Sequence, residues 1–82
     1  MLKPTALPLK EIYVPAKLRK TLDPEKVEAI AGSILEDGQR TPIQVRRDKE
    51  RYVLIAGLHR LEAMRALGEV KIEGFIVGAR RF

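Results

Sequence analysis

The chain has 82 residues, 45% of them hydrophobic and 33% charged, a balance that suits one small globular domain over 1–82 and excludes a disordered segment or two independent cores. Its formal charge of +5 fits a polyanionic partner or an ordinary lysine-rich surface equally well, so charge alone does not choose between nucleic acid and nucleotide. Cysteine is absent, which excludes disulfides, thiolate metal sites and thiol nucleophiles.

In chain order, Leu7 to Val14 alternates imperfectly and is bracketed by Pro8 and Pro15, which predicts one short edge strand or extended arm. Asp23 is a good N-cap, Pro24 fits the first helical position and Glu25 complements the positive end of the helix dipole. Val27, Ile30, Ala31, Ile34 and Leu35 then form one apolar stripe and Gly38 supplies the stop, so a helix is predicted over Pro24 to Asp37. Gly32 inside it costs about 1 kcal/mol relative to alanine, and is expected to allow close packing against a neighbouring element.

Thr41 to Arg47 and Tyr52 to Ala56 are β-rich runs around the polar Asp48-Lys49-Glu50-Arg51, the pattern of an antiparallel hairpin. A second helix is predicted over Arg60 to Leu67, with Leu61, Met64 and Leu67 on one face and Gly68 ending it. Val70 to Val77 reads as a final strand, followed by the basic tail Arg80-Arg81-Phe82. The order is β-α-β-β-α-β, an α+β arrangement without internal repeats. No apolar run approaches the roughly 20 residues that span a bilayer, and the start lacks a secretory signal. A cytoplasmic protein with no membrane contact is the expectation.

The segment that carries chemistry is Gly57-Leu58-His59-Arg60, where a buried strand hands over to the second helix. Helix N-termini offer unpaired amides and a positive dipole end, and a glycine lets a ligand approach the backbone. Arg60 adds a planar fork suited to phosphate oxygens, and His59 adds a further donor. The competing reading is structural: Gly57 makes the turn, His59 caps the helix and Arg60 pairs with Glu62 or Glu36 on the surface.

Leu22-Asp23-Pro24-Glu25-Lys26-Val27, Ser33-Ile34, Gly38, Pro42-Ile43-Gln44-Val45 and Gly57-Leu58-His59-Arg60 with Glu62-Ala63 together resemble the ParB/sulfiredoxin superfamily from about Leu9 to Val77. The resemblance implies a mixed sheet with two main helices and a nucleoside-triphosphate site for ATP or CTP, with Mg2+. In sulfiredoxins the His-Arg pair, a lysine and hydroxyl residues of the first helix contact the phosphates of ATP. Carried over, those roles fall on His59, Arg60, Lys26 and Ser33, beside Gly57 and Leu58. Lys26 and Ser33 are seven positions apart, along nearly one helix face, where a solvated surface is the competing reading. Ala29 replaces a hydroxyl residue of the family. ParB proteins usually carry Gly-Glu-Arg-Arg at the turn, so the His-Arg form leans towards sulfiredoxin.

Leu58 stands where sulfiredoxins have their cysteine. A ligand-dependent switch or partition-type regulatory domain, with a protein partner or self-association, is therefore expected in place of a sulfinic-acid reductase. The fold also hosts CTP-dependent clamps and a phosphotransferase acting on free serine, so a phosphotransferase or NTPase is the alternative, with Glu36, Asp37 and Glu62 as its candidate carboxylates. DNA binding through Arg46, Arg47, Arg80 and Arg81 is a third reading. No stretch after the last strand can form a helix-turn-helix, so such binding is expected to be weak and sequence-independent. The absence of a thiol gives the first prediction: incubation with a sulfinylated peroxiredoxin, ATP and Mg2+ leaves the sulfinic acid unreduced, as mass spectrometry reads it, and ATP-dependent repair would refute the assignment of Leu58.

Overall fold

The computed structural model describes residues 3–38 and 41–78. Its elements are β1 (Thr5–Pro8), β2 (Ile12–Tyr13), α1 (Ala16–Arg19), α2 (Pro24–Asp37), β3 (Ile43–Asp48), β4 (Arg51–Ala56), α3 (Leu58–Ala66) and β5 (Lys71–Ile76). The strands form one five-stranded sheet of order β1-β5-β3-β4-β2. β1 with β5 and β3 with β4 are antiparallel, whereas β2 with β4 and β3 with β5 are parallel. This is the mixed sheet with two main helices that the α+β reading anticipates.

The N-terminal segment departs from expectation. Leu7 to Val14 is not one strand: it supplies both edges of the sheet. Pro8 has no N–H with which to continue a ladder, and the chain turns through a 3-10 segment at Leu9–Glu11. Before that turn Leu7 pairs with Ile72, and after it Ile12 pairs with Tyr52. Leu7, Leu9, Ile12 and Val14 are all buried, so the crossing is anchored in the core. The short α1 that follows Pro15 has no side-chain cap, and no sequence signal announces it.

α2 keeps its predicted limits because both ends are chemically marked. The Asp23 carboxylate accepts a hydrogen bond from the Glu25 amide at 3.0 Å, and Gly38 closes the helix in the left-handed conformation with φ 67°. Ile34 is buried, and Val27, Ile30 and Ala31 pack against the core. Leu35, at the margin of that stripe, is 74% exposed and does not join it. Gly32 makes no close approach, since a Cβ there would meet nothing within 4 Å; nothing in the structure explains this glycine.

The hairpin forms around the two-residue loop Lys49-Glu50, and Lys49 adopts the positive φ, 58°, that such tight loops demand. Its flanks Asp48 and Arg51 approach to 3.6 Å. Strand limits shift by a residue or two from the predicted runs, as ladder ends usually do. Between sheet and helices lie Leu7, Ile43, Val45, Leu54 and Leu61, all fully buried. Leu61 joins α3 to this layer, so Leu61→Ala should lower unfolding free energy by about 2–5 kcal/mol. Urea denaturation measures this directly, and a loss below about 1 kcal/mol would show that the α3 face is not core.

Candidate functional site

The junction of β4 and α3 is shaped by packing. Gly57 has φ 104° and ψ 28°, a left-handed conformation that costs most residues about 1–2 kcal/mol. A Cβ at this position would also lie 2.7 Å from Ile43 Cγ2, 3.0 Å from its Cβ and 3.2 Å from its Cα. The space left by the missing side chain is therefore filled by Ile43, so the core itself requires a glycine at this position.

Because the turn closes at Gly57, α3 begins at Leu58, earlier than the predicted Arg60, and ends at Ala66. The Leu58 side chain is buried in the core, so only its backbone faces the helix end. Gly57 offers no capping side chain. The first intrahelical bond at this end runs from the Leu61 amide to the Gly57 carbonyl at 2.9 Å. The amides of Leu58, His59 and Arg60 precede it and have no intrahelical acceptor.

His59 serves the other helix. Its Nε2 accepts a hydrogen bond from the Asp23 amide at 3.0 Å, in a partly buried setting. An imidazole nitrogen that accepts carries no proton, so in the neutral ring the hydrogen resides on Nδ1 and stays available as a donor. This contact joins the start of α2 to the start of α3 and replaces the expected cap on α3. The sequence marked Asp23 only as a local N-cap; its link to a residue 36 positions away has no local signature.

Arg60 is half-buried and lines a pocket of about 210 Å³ with Thr41, Met64, Ile72 and Glu73. Among the described residues it forms no ion pair. Glu62, one of the partners considered for it, instead meets Arg65 at 3.7 Å, and Glu36 does not reach it either. Lys26 and Ser33 are exposed on α2. At 3.6 residues per turn their directions differ by about 20°, on the flank of the buried stripe. Among the described residues no hydrogen bond or ion pair joins either to Gly57–Arg60, though Lys26 lies in the turn of α2 that Asp23 ties to His59.

The residues of the alternative readings are less well placed. Glu36 and Asp37 sit in the last turn of α2, about 18 Å along the axis from the end that meets His59. Arg46 and Arg47 are consecutive on β3 and so point to opposite faces of the sheet. Arg47 is also engaged by Tyr52, with its guanidinium 5.2 Å from the ring centroid and 3.4 Å from the hydroxyl. Arg80 and Arg81 lie outside the described residues. Among the described residues no group of three or more His, Cys, Asp or Glu side chains gathers as a metal site, and no helix is long and apolar enough to cross a membrane.

A family model described as the ParB N-terminal domain matches residues 3–81. The probable chromosome-partitioning protein ParB of Campylobacter jejuni is 42% identical over 62 residues, which cover 76% of this chain and 22% of that protein. The chain thus spans about a fifth of that relative. Among solved structures, sulfiredoxin from Arabidopsis thaliana matches with TM-score 0.78 and 32% identity over 96% of this chain and 86% of that one. The C-terminally truncated ParB from Caulobacter crescentus, complexed with CTP-γ-S, matches with TM-score 0.79 and 24% identity over 95% and 46%; this second likeness concerns the fold alone.

Two substitutions test how the turn is built. Gly57→Ala should destabilise the protein by about 2 kcal/mol or more, since left-handed strain and the clash with Ile43 act together. His59→Ala should cost about 0.5–1.5 kcal/mol by orphaning the Asp23 amide. Chemical denaturation without nucleotide reads both, and an alanine at 57 that leaves stability unchanged would contradict the packing account.

Proposed function

The chain belongs to the ParB N-terminal domain family, and from that premise we propose that it is a nucleoside-triphosphate-binding module whose ligand phosphates sit at the start of α3. The observation that carries this reading is the open end of that helix. Three amides, of Leu58, His59 and Arg60, lack an intrahelical acceptor where no side chain caps the helix. A half-buried guanidinium without an ion pair among the described residues stands beside them. Such a terminus favours anionic oxygens through both its N–H groups and its dipole.

Each residue then has a distinct task. Arg60 presents its fork to phosphate oxygens, His59 donates from Nδ1 while its Nε2 holds α2, and Lys26 adds a compact charge. Ser33 contributes a hydroxyl further along α2. Gly57 sets the backbone direction and Leu58 gives its amide only. The pocket beside Arg60, at about 210 Å³, is smaller than the roughly 300 Å³ at which whole-ligand pockets begin. It accommodates part of a nucleotide, with the remainder on the surface. Mg2+ would be held mainly by the phosphates and water, the usual habit of this ion.

ATP and CTP are the candidate ligands; the Caulobacter relative is complexed with a CTP analogue. The role is that of a ligand-dependent regulatory or partition-type domain in the cytoplasm, acting on a protein partner or a second copy. Reduction of sulfinic acids is not part of it, because the chain contains no cysteine and the side chain at 58 is a leucine in the core.

Arg60 gives the decisive test. Arg60→Lys keeps the charge and loses the fork, so affinity should fall, and Arg60→Ala should fall further, by about 1.5–3 kcal/mol or roughly one to two orders of magnitude. Stability should change by less than about 1 kcal/mol. Calorimetric titration with ATP, CTP, GTP and ADP in Mg2+ measures the effect. Equal affinity of parent and Arg60→Ala, or no binding of any nucleotide by the parent, would overturn the proposal.

A further inference from the structure

A second concavity lies beside β2 and shares no residue with Gly57–Arg60, Lys26 or Ser33. It measures about 480 Å³, and Glu11–Val14 run along it as consecutive lining residues. β2 is the last strand in the sheet order, so on its outer side the backbone of Ile12 and Tyr13 has no strand partner among the described residues. Unpaired edge backbone of this kind is a template for an added strand. The exposed Tyr13, 41% accessible, stands on this edge with the Arg51 guanidinium 4.2 Å from its ring centroid.

The walls are predominantly cationic. Lys10, Arg19, Arg51 and Arg65 line the concavity against two carboxylates, Glu11 and Glu62. Glu62 is already engaged with Arg65 at 3.7 Å. Lys10 and Arg19 are exposed and form no ion pair among the described residues. Arg51 is likewise engaged with Asp48 at 3.6 Å, so the unpaired cations of the groove are Lys10 and Arg19, beside the free edge of β2.

We propose that this groove takes an extended acidic segment of a partner protein, added to the sheet as a strand on β2. A peptide supplies both N–H and C=O groups to pair with the edge, and its alternate side chains project to one side about every 6.8 Å, so acidic residues at every second position meet the cations. Nucleic acid fits less well, because its phosphates offer acceptors only and cannot complete a strand ladder, which needs donors as well. The inference does not rest on the nucleotide reading, since the two sets of residues are separate.

The test uses the whole chain, without nucleotide, and a fluorescein-labelled peptide of alternating glutamate and valine. A counterpart with lysine for glutamate and an oligothymidylate serve as controls. Fluorescence anisotropy should show the acidic peptide binding at least about tenfold more tightly than its lysine counterpart. The double variant Arg19→Glu with Arg65→Glu, checked for an unchanged melting transition, should weaken it about tenfold. In heteronuclear NMR the perturbed amides should centre on Glu11–Val14. Absence of binding, equal binding of the lysine peptide, perturbation centred on residues 57–60, or stronger competition by the oligothymidylate would each overturn the proposal.

Discussion

The close approach of Gly57 to Ile43 governs the junction of β4 and α3. Ile43 is almost fully buried, and it is wedged between two residues that lack side chains. A Cβ at Gly57 would lie 2.7 Å from its Cγ2, and one at Gly74 would lie 3.0 Å from its Cγ1. A β-branched side chain has little freedom at χ1, so the wedge is stiff. α3 leaves directly from Gly57, and a central strand residue therefore fixes where that helix starts and which way its first amides point. The bare backbone at Gly57 is a requirement of the core, whatever a ligand would also ask of it. A terminus set by packing is preorganised, which suits the anion site proposed for it.

A second constraint acts on the same end. The Asp23 amide and His59 Nε2 are 3.0 Å apart, and the Asp23 carboxylate in turn caps the Glu25 amide. One residue thus serves its own helix through its side chain and the other helix through its backbone. The consequence for His59 is that one ring nitrogen is committed to architecture while the other makes no hydrogen bond among the described residues. The structural role that the sequence offers for this histidine is thus present in one ring nitrogen, and it does not exclude the binding role proposed for the other.

Features with local causes were legible in the sequence. α2 could be delimited because Asp23, Pro24 and Gly38 each carry a capping preference, and the hairpin because two β-rich runs flank a short polar loop. The strand-to-helix position of Gly57–Arg60 was visible for the same reason. Features set by distant partners were not. The start of α3 was misplaced because its N-cap is a left-handed glycine without an oxygen to announce it. Leu7 to Val14 reads as one short edge strand or arm because nothing within it reveals that Leu7 faces Ile72 while Ile12 faces Tyr52. The helix-interior cost of Gly32 points to a packing role, yet among the described residues nothing approaches its position within 4 Å. The Tyr13–Arg51 stack depends on strand register, which alternation alone does not settle.

The two edge strands have a bearing on how the chain acquires its structure. β1 pairs with β5 through Thr5 and Gly74, partners separated by nearly the whole described chain, whereas β2 reaches β4 across a shorter interval. During synthesis β1 leaves the ribosome well before β5 and thus waits for its neighbour. Until β5 emerges, Leu7 lacks its partner Ile72 and the β5 side of β3 stands open. Non-local pairings of this kind delay folding and prolong the exposure of sticky edges. Pro8, which cannot donate to a ladder, stands at the end of the waiting strand and discourages it from pairing elsewhere.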